Sequence, residues 1–175
     1  MTDAHAIDIA LLIFRSAVGA IMLAHGVNHV FRGGKIAGTA RWFESLGMRP
    51  GILHAWLASL TELVIGPLLI VGLLTPLAAG GVIGVMLVAW ITNHRGNGFF
   101  IFRPGEGWEY VMCLTACGIA LGTIGAGQWS VDHAVGISDD LLGTTGLLLS
   151  AGLGGAMALG LLAIFWRPPR PTEES

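Results

Sequence analysis

Among the titratable residues inside or at the ends of strongly apolar stretches of this chain, six are candidates for chemistry. They are Arg15, His25, His29, Glu62, His94 and Glu109. An ionisable group among apolar side chains is costly to desolvate, so such groups are normally paired and often functional. His25 and His29 are four residues apart, which places both imidazoles on the face of a helix that also carries Arg15.

These residue types suit two kinds of ligand. A quinone headgroup needs a hydrogen-bond donor near each carbonyl and a path for protons, which His25 or His29 supplies together with Glu62 or Glu109. A metal ion is the alternative, because two imidazoles one helical turn apart, completed by Glu62, His94 and Glu109, suit iron or zinc. A purely structural interpretation competes with both, in which Arg15 and Glu62 form a fixed salt bridge.

The elements that hold these residues are predicted to be membrane helices. The 175-residue chain is 54% hydrophobic and 11% charged, with a mean hydropathy of +0.74, whereas soluble domains are about 25% charged. With nine Lys and Arg against eleven Asp and Glu, this composition excludes a soluble enzyme core, a disordered chain and a nucleic-acid-binding protein. A crossing needs about 20 mostly apolar residues, and five stretches qualify: residues 8–30, 52–74, 77–92, 108–124 and 141–166.

The basic residues predict the orientation of these five helices. Eight of the nine Lys and Arg residues lie in the connections after the first, third and fifth stretches, which all fall on one side of the membrane. Positive charge favours the cytoplasmic side. We therefore expect a multi-pass protein of the cell inner membrane with its N-terminus outside and its C-terminus in the cytoplasm.

On this topology the candidate residues meet in a polar vestibule at the inner leaflet. Arg15 and Glu62 come from adjacent helices at heights that differ by about 4 Å, so we expect an ion pair between them. Glu62 would be the buried proton acceptor held by Arg15, and His25 and His29 would bind the headgroup. Glu109 and His94 would connect the vestibule to the cytoplasm. The predicted catalytic residues are thus Glu62, Arg15 and Glu109, and the predicted cofactor-binding residues are His25, His29, His94 and Glu62.

Several spaced motifs resemble the DoxX family of prokaryotic membrane proteins. They are IFRSAVGAIMLAHGVNHVFRGG at residues 13–34, FESLGM at 43–48, ASLTELVIGPLLIVGLLTP at 58–76, GEGWEYVMCL at 105–114 and GAGQWSVD at 125–132. The resemblance covers about residues 8 to 137. It implies a four-helix membrane bundle related to subunits of quinol oxidases and of thiosulfate:quinone oxidoreductases, and some members are regarded as membrane scaffolds.

The resemblance also bears on single residues. By position, Arg15, Glu62, Glu109 and Asp132 match recurrent polar residues of the family. His29 stands where members often have a lysine, which argues against lysine-dependent anion binding. The helix predicted at residues 141–166 follows the usual four, which suggests an added interface for a partner or a second protomer.

We therefore expect an all-α, polytopic membrane bundle. It would have a DoxX-like four-helix domain at residues 1–137, a further transmembrane helix at 138–167 and a disordered cytoplasmic tail at 168–175. We expect the protein to be an integral membrane subunit of an oxidoreductase assembly. That assembly would carry out quinone-linked electron transfer. A quinone or quinol is the expected cofactor, with iron or zinc as the alternative.

The competing expectation is a non-enzymatic scaffold for a soluble redox or stress-response partner. A short interfacial helix at residues 38–46 and a Phe-rich connection at residues 97–108 would hold that partner at the membrane. In either case we expect contacts with membrane lipid and with a protein partner in a redox complex, and none with nucleic acid. A homo-oligomer is left open.

Overall fold

The computed structural model describes residues 3–169, and the regular elements in that range are helices. They are α1 (Asp3–Phe31), α2 (Lys35–Ser45), α3 (Gly51–Val71), α4 (Thr75–Ala89), α5 (Glu109–Ile124), α6 (Val131–Ala134), α7 (Gly143–Leu147) and α8 (Gly154–Phe165). Two π-helical segments extend them: Trp90–His94 continues α4, and Leu148–Leu153 joins α7 to α8. Most of the predicted tail, residues 170–175, lies outside the described residues.

Four helical segments are long and apolar enough to cross a membrane: Asp3–Phe31, Gly51–Val71, Thr75–His94 and Gly143–Phe165. The expected all-α membrane bundle is therefore confirmed. The fourth predicted span forms α5, whose 16 residues rise only about 24 Å. This is less than the roughly 30 Å of a bilayer's hydrocarbon, so α5 is a short apolar helix packed against α4.

Glycines let the long helices pack with their backbones in close approach. A methyl group at Gly19 in α1 would lie 2.5 Å from the carbonyl oxygen of Gly66 in α3. A methyl group at Gly154 would lie 2.4 Å from the carbonyl oxygen of Gly80 in α4. Four small residues at four-residue spacing in the last helical segment, Gly146, Ser150, Gly154 and Ala158, are all buried, so this stripe faces its own bundle.

The bundle has two distinct ends. At one end, which we call the basic end, the indole of Trp166 after α8 donates a 2.9 Å hydrogen bond to the carbonyl of Leu46 after α2, and Arg95 lies over the ring of Trp166. At the opposite end, Asp8 in α1 accepts a 2.9 Å hydrogen bond from the backbone N–H of Gln128. The start of α1 and the end of α8 thus lie at opposite ends of the bundle.

Candidate functional site

Three of the predicted residues meet between α1 and α3, and we call them the His-His-Glu cluster: His25, His29 and Glu62. The Nδ1 atom of His29 lies 3.1 Å from Oε2 of Glu62. One side-chain nitrogen or oxygen from each of the three residues lies within 4.8 Å of the others. Two imidazoles and a carboxylate from two helices therefore converge on one point.

The local sequence explains this convergence. His25 and His29 lie one turn apart on α1, and Gly26 stands between them. A methyl group at Gly26 would lie 3.1 Å from Cβ of Glu62 and 2.9 Å from Cγ of Leu63. Because Gly26 has no side chain, α3 approaches closely enough to bring the Glu62 carboxylate to the histidines.

Part of the cluster is buried and lacks hydrogen bonds. Glu62 is only 2% exposed, yet within residues 3–169 neither its Oε2 nor the Nδ1 of His29 makes a hydrogen bond. The two atoms thus approach each other to 3.1 Å in a geometry that is unsuitable for a hydrogen bond. Leaving a buried polar atom unpaired costs about 1 to 3 kcal/mol, and more if it is charged. Unpaired buried polar atoms of this kind are uncommon and often belong to functional sites.

The cluster lies on the wall of a cavity of about 760 Å³. Binding sites for small molecules usually measure about 300 to 1,000 Å³ and combine apolar walls with a few convergent polar groups. Side chains of α2, α3, α4 and α8 form most of the apolar wall, including Trp42, Leu57, Val85, Leu153, Met157 and Leu161. The last helix, predicted as an added interface, therefore helps to form this cavity.

His94 joins the same cavity from the π-helical end of α4. Its Nδ1 lies 2.9 Å from the carbonyl oxygen of Glu106, and Glu106 also lines the cavity. The structure thus brings together four of the six predicted residues, the three of the cluster and His94. Single π-helical turns are frequent at functional sites because they re-aim side chains.

Glu109 lies outside this arrangement. Its Oε1 accepts a 2.9 Å hydrogen bond from the backbone N–H of Ile101, in the Phe-rich connection. The carboxylate at the start of α5 thereby holds that connection in place, whereas its neighbour Tyr110 faces the cavity.

Arg15 also lies away from the cluster, and the expected ion pair with Glu62 does not form. The buried guanidinium donates a 3.0 Å hydrogen bond to the carbonyl of Leu69 and further bonds to the carbonyls of Ile70 and Trp129. Arg15 is thus level with the end of α3, whereas Glu62 is level with Gly26. At 1.5 Å per residue the two heights differ by about 10 to 16 Å.

The expectation was wrong because it assumed that the first two spans start and end at the same heights. In the structure α1 begins at Asp3, and its N-terminal turns extend beyond the level at which α3 ends at Val71. The connection after α5 covers this part of α1, through the hydrogen bond between Asp8 and Gln128.

Tyr110 is the site residue that the sequence analysis missed. Its hydroxyl lies 3.1 Å from Nε2 of His25, and the two rings stack with their centroids 6.1 Å apart. Two signals pointed to it: Tyr110 is the single tyrosine of the chain, and it directly follows Glu109 at the predicted level of the vestibule.

Comparison with known proteins identifies the family. The model of the DoxX family matches residues 10–95, from α1 to the end of the π-helical segment after α4. The match includes His25, His29, Glu62 and His94, and Tyr110 lies beyond it. Neither the curated proteins nor the solved structures contain a match to this chain. The chain thus carries a DoxX domain at residues 10–95, and with four helices long and apolar enough to cross a membrane it is similar to the multi-pass membrane proteins of the DoxX family.

Proposed function

We propose that the protein binds a quinone or a similar hydrophobic redox molecule, as one subunit of a membrane electron-transfer system. A single observation supports this most strongly: a cavity of about 760 Å³ has mainly apolar walls and contains a compact set of imidazole, carboxylate and phenol groups. An apolar cavity with a few converging polar groups is the usual form of a site for such a molecule.

The polar groups would bind the headgroup. His25, His29 and Tyr110 offer hydrogen-bond donors to its carbonyl oxygens, and Glu62 offers a buried proton acceptor beside His29. His94, in contact with Glu106, would connect the cavity to water at the basic end. Arg15 and Glu109 are bonded to backbone groups elsewhere, so we assign neither of them a catalytic role.

The apolar walls would bind the ring and part of an isoprenoid tail. The side chains of Leu57, Val85, Met157 and Leu161 come from α3, α4 and α8, and Leu153 comes from the π-helical segment before α8. Burial of apolar surface contributes about 25 cal/mol per Å², so these walls would supply most of the affinity while the polar groups set the orientation. A partner subunit would supply the electron donor.

We further propose that the basic end faces the cytoplasm of a cell whose inner membrane holds the protein. Arg32, Lys35, Arg41 and Arg49 lie in or beside α2 at this end, together with Arg95. The positive-inside rule then places the start of α1 outside and the end of α8 inside. Reporter fusions after Ser138 and after Trp166 test this: we expect cytoplasmic activity only after Trp166, and the reverse pattern would overturn it.

The test of the binding function uses the full-length protein purified in mild detergent. We expect solvent extraction and mass spectrometry to find a quinone that co-purifies in proportion to the protein, and a short-tailed quinone to quench tryptophan fluorescence in a saturable way. Trp42, whose side chain lines the cavity, serves as a reporter.

Two substitutions at the cluster and one control make the test specific. Glu62→Gln and His25→Ala should each weaken quinone binding about tenfold or more, equivalent to about 1.4 kcal/mol. His133→Ala, an exposed histidine at the opposite end, should leave binding unchanged. Absence of quinone from the preparation together with absence of saturable quenching would overturn the proposal.

A second function is favoured by a separate observation, a row of exposed aromatic side chains at the basic end. Trp42 in α2 is exposed, as are Phe99, Phe100 and Phe102, and Phe102 is 78% exposed. Such a surface suits a scaffold that holds a soluble redox or stress-response partner at the membrane. Under the scaffold hypothesis, Phe102→Ser abolishes the protein's cellular function while Glu62→Gln does not, and quinone binding predicts the opposite.

A further inference from the structure

We propose that His25, His29 and Glu62 bind a divalent transition-metal ion such as Zn²⁺ or Fe²⁺. Neutral imidazoles and a carboxylate form a typical donor set for these ions, and three protein ligands leave a position open for a further ligand. The proposal does not depend on quinone binding, since it concerns only the three side chains of the cluster.

The spacing of the donor atoms fits a tetrahedral site. Ligands about 2.0 to 2.2 Å from zinc lie about 3.3 Å from one another. Nδ1 of His29 and Oε2 of Glu62 are already 3.1 Å apart, and the whole set spans no more than 4.8 Å. His25 therefore has to approach by only about 1.5 Å, which a small rotation of this exposed side chain achieves.

The unpaired atoms of the cluster also point to a cation. Oε2 of Glu62 and Nδ1 of His29 are buried without a hydrogen bond, although they face each other at 3.1 Å. A metal ion between them would satisfy both atoms at once, because it accepts a lone pair from each. It would also offset the cost of a buried carboxylate, which is high unless a positive charge is near.

No fixed positive charge competes for this place. Among residues 3–169, no lysine or arginine lines the cavity, and the nearest candidate by sequence, Arg15, is bonded to backbone carbonyls at the other end of α3. The alternative is that His29 itself is protonated and neutralises Glu62. That alternative gives a folded protein that has no affinity for Zn²⁺, so a binding experiment separates the two.

The site would communicate with the cavity. The Nε2 atom of His25 lies 3.1 Å from the hydroxyl oxygen of Tyr110. His25, His29 and Glu62 all line the cavity. The open coordination position would therefore be reached from the cavity by water or by an oxygen atom of a bound molecule. Tyr110, which contacts His25 without belonging to the cluster, would orient that imidazole.

The experiment is a Zn²⁺ titration of the full-length protein, purified without a histidine tag and freed of metal with a chelator. We expect about one ion per chain with an affinity that isothermal titration calorimetry resolves. Co²⁺ in place of Zn²⁺ should give the visible absorption of a tetrahedral complex. His25→Ala and Glu62→Gln should weaken Zn²⁺ binding about tenfold or more, whereas His133→Ala should bind as the unsubstituted protein does.

The controls make every outcome informative. His25 is exposed, so its replacement leaves the fold intact and remains interpretable even if Glu62→Gln is less stable. Absence of Zn²⁺ binding by the unsubstituted protein, or equal binding by His25→Ala, overturns the metal site. The quinone titration, repeated on metal-free and Zn²⁺-loaded protein, keeps the two proposals apart: quinone binding without Zn²⁺ binding removes only the metal site, and the reverse removes only the quinone function.

Discussion

Two groups of buried polar residues lie towards the two ends of this bundle, and they differ in what they are bonded to. One group lies towards the end opposite the basic end. There Asp132 accepts hydrogen bonds from the backbone N–H groups of Leu74 at 2.7 Å and Thr75 at 3.0 Å. Arg15 donates hydrogen bonds to carbonyls at the end of α3. Towards the basic end, Oε2 of Glu62 has no hydrogen bond at all.

This difference indicates that the cost of a buried charge does not by itself mark a functional residue. Arg15 and Glu62 are almost equally buried and equally unusual in an apolar helix. Arg15 and Asp132 satisfy backbone groups of the α3–α4 turn, so they stabilise the fold. Oε2 of Glu62 bonds to no backbone group in the described part of the chain, so this carboxylate is available to a ligand. The partners of each side chain, rather than its burial, separate the structural group from the candidate site.

The largest effect expected from this comparison is on stability, at Arg15. Arg15→Ala leaves the carbonyls of Leu69, Ile70 and Trp129 without their donor, and we expect the free energy of unfolding to fall by about 3 kcal/mol or more. Thermal unfolding in mild detergent measures this. Arg167→Ala, at an exposed arginine, is the matched control and should change stability by less than about 0.5 kcal/mol. Equal effects of the two substitutions would remove the structural role assigned to Arg15.

Asp132 should show the same behaviour with a smaller effect. Asp132→Asn replaces one acceptor of the pair that binds Leu74 and Thr75 with an NH₂ group, so one backbone N–H loses its charge-assisted bond. We expect a loss of about 2 kcal/mol in the unfolding free energy. Asp139→Asn, at an exposed position in the same connection, should be neutral. A loss of quinone or Zn²⁺ binding in folded Asp132→Asn protein would contradict the division between the two groups.

Two adjacent glycines test whether α8 shapes the cavity. A methyl group at Gly154 would meet the carbonyl oxygen of Gly80 at 2.4 Å, whereas one at Gly155 would meet nothing within 4 Å. We expect Gly154→Ala to reduce the unfolding free energy by about 1 to 2 kcal/mol. Gly155→Ala should be neutral or slightly stabilising, because alanine favours the helix. If the wall of α8 matters for binding, Gly154→Ala also weakens quinone binding; unchanged affinity would mean that the ligand lies against α1 and α3 alone.

The smallest stability effect is expected at Glu62, although the effect on binding should be large. Since Oε2 of Glu62 makes no hydrogen bond within residues 3–169, Glu62→Gln breaks none at that atom and should change the unfolding free energy by less than about 1 kcal/mol. Thermal unfolding of this variant beside Arg15→Ala compares the two groups directly. A loss at Glu62 as large as that at Arg15 would show that the cluster is structural too.

Much of the fold was predictable because hydropathy is a local property. Long runs of apolar residues identify the helices that cross the membrane whatever their neighbours are, and four of the five predicted stretches correspond to long apolar helices. The remaining stretch, predicted as the fourth span, forms α5. Its 16 residues are apolar, but they are too few for the length of a full crossing. The start of α1 was predicted at residue 8 but lies at Asp3, because the polar residues that precede the apolar run suggest a loop.

The candidate site was predictable only in part. The four-residue spacing of His25 and His29 places them on one face of α1 for any packing arrangement. The contact between His29 and Glu62 depends instead on the register of α1 against α3, which no pattern within one helix reveals. Tyr110 reaches His25 from α5, a contact between residues that are far apart along the chain.

The sequence by itself determined that this chain forms apolar helices, where their basic connections lie and which histidines share a face, because each of these properties belongs to residues close together in the chain. Only the tertiary structure decided that Glu62 meets His29 while Arg15 meets the end of α3. The physical reason is the close approach of backbones at Gly19 and Gly26: these contacts between α1 and α3 set the helix register, and a register shifted by a few residues would exchange the partners of every buried charge.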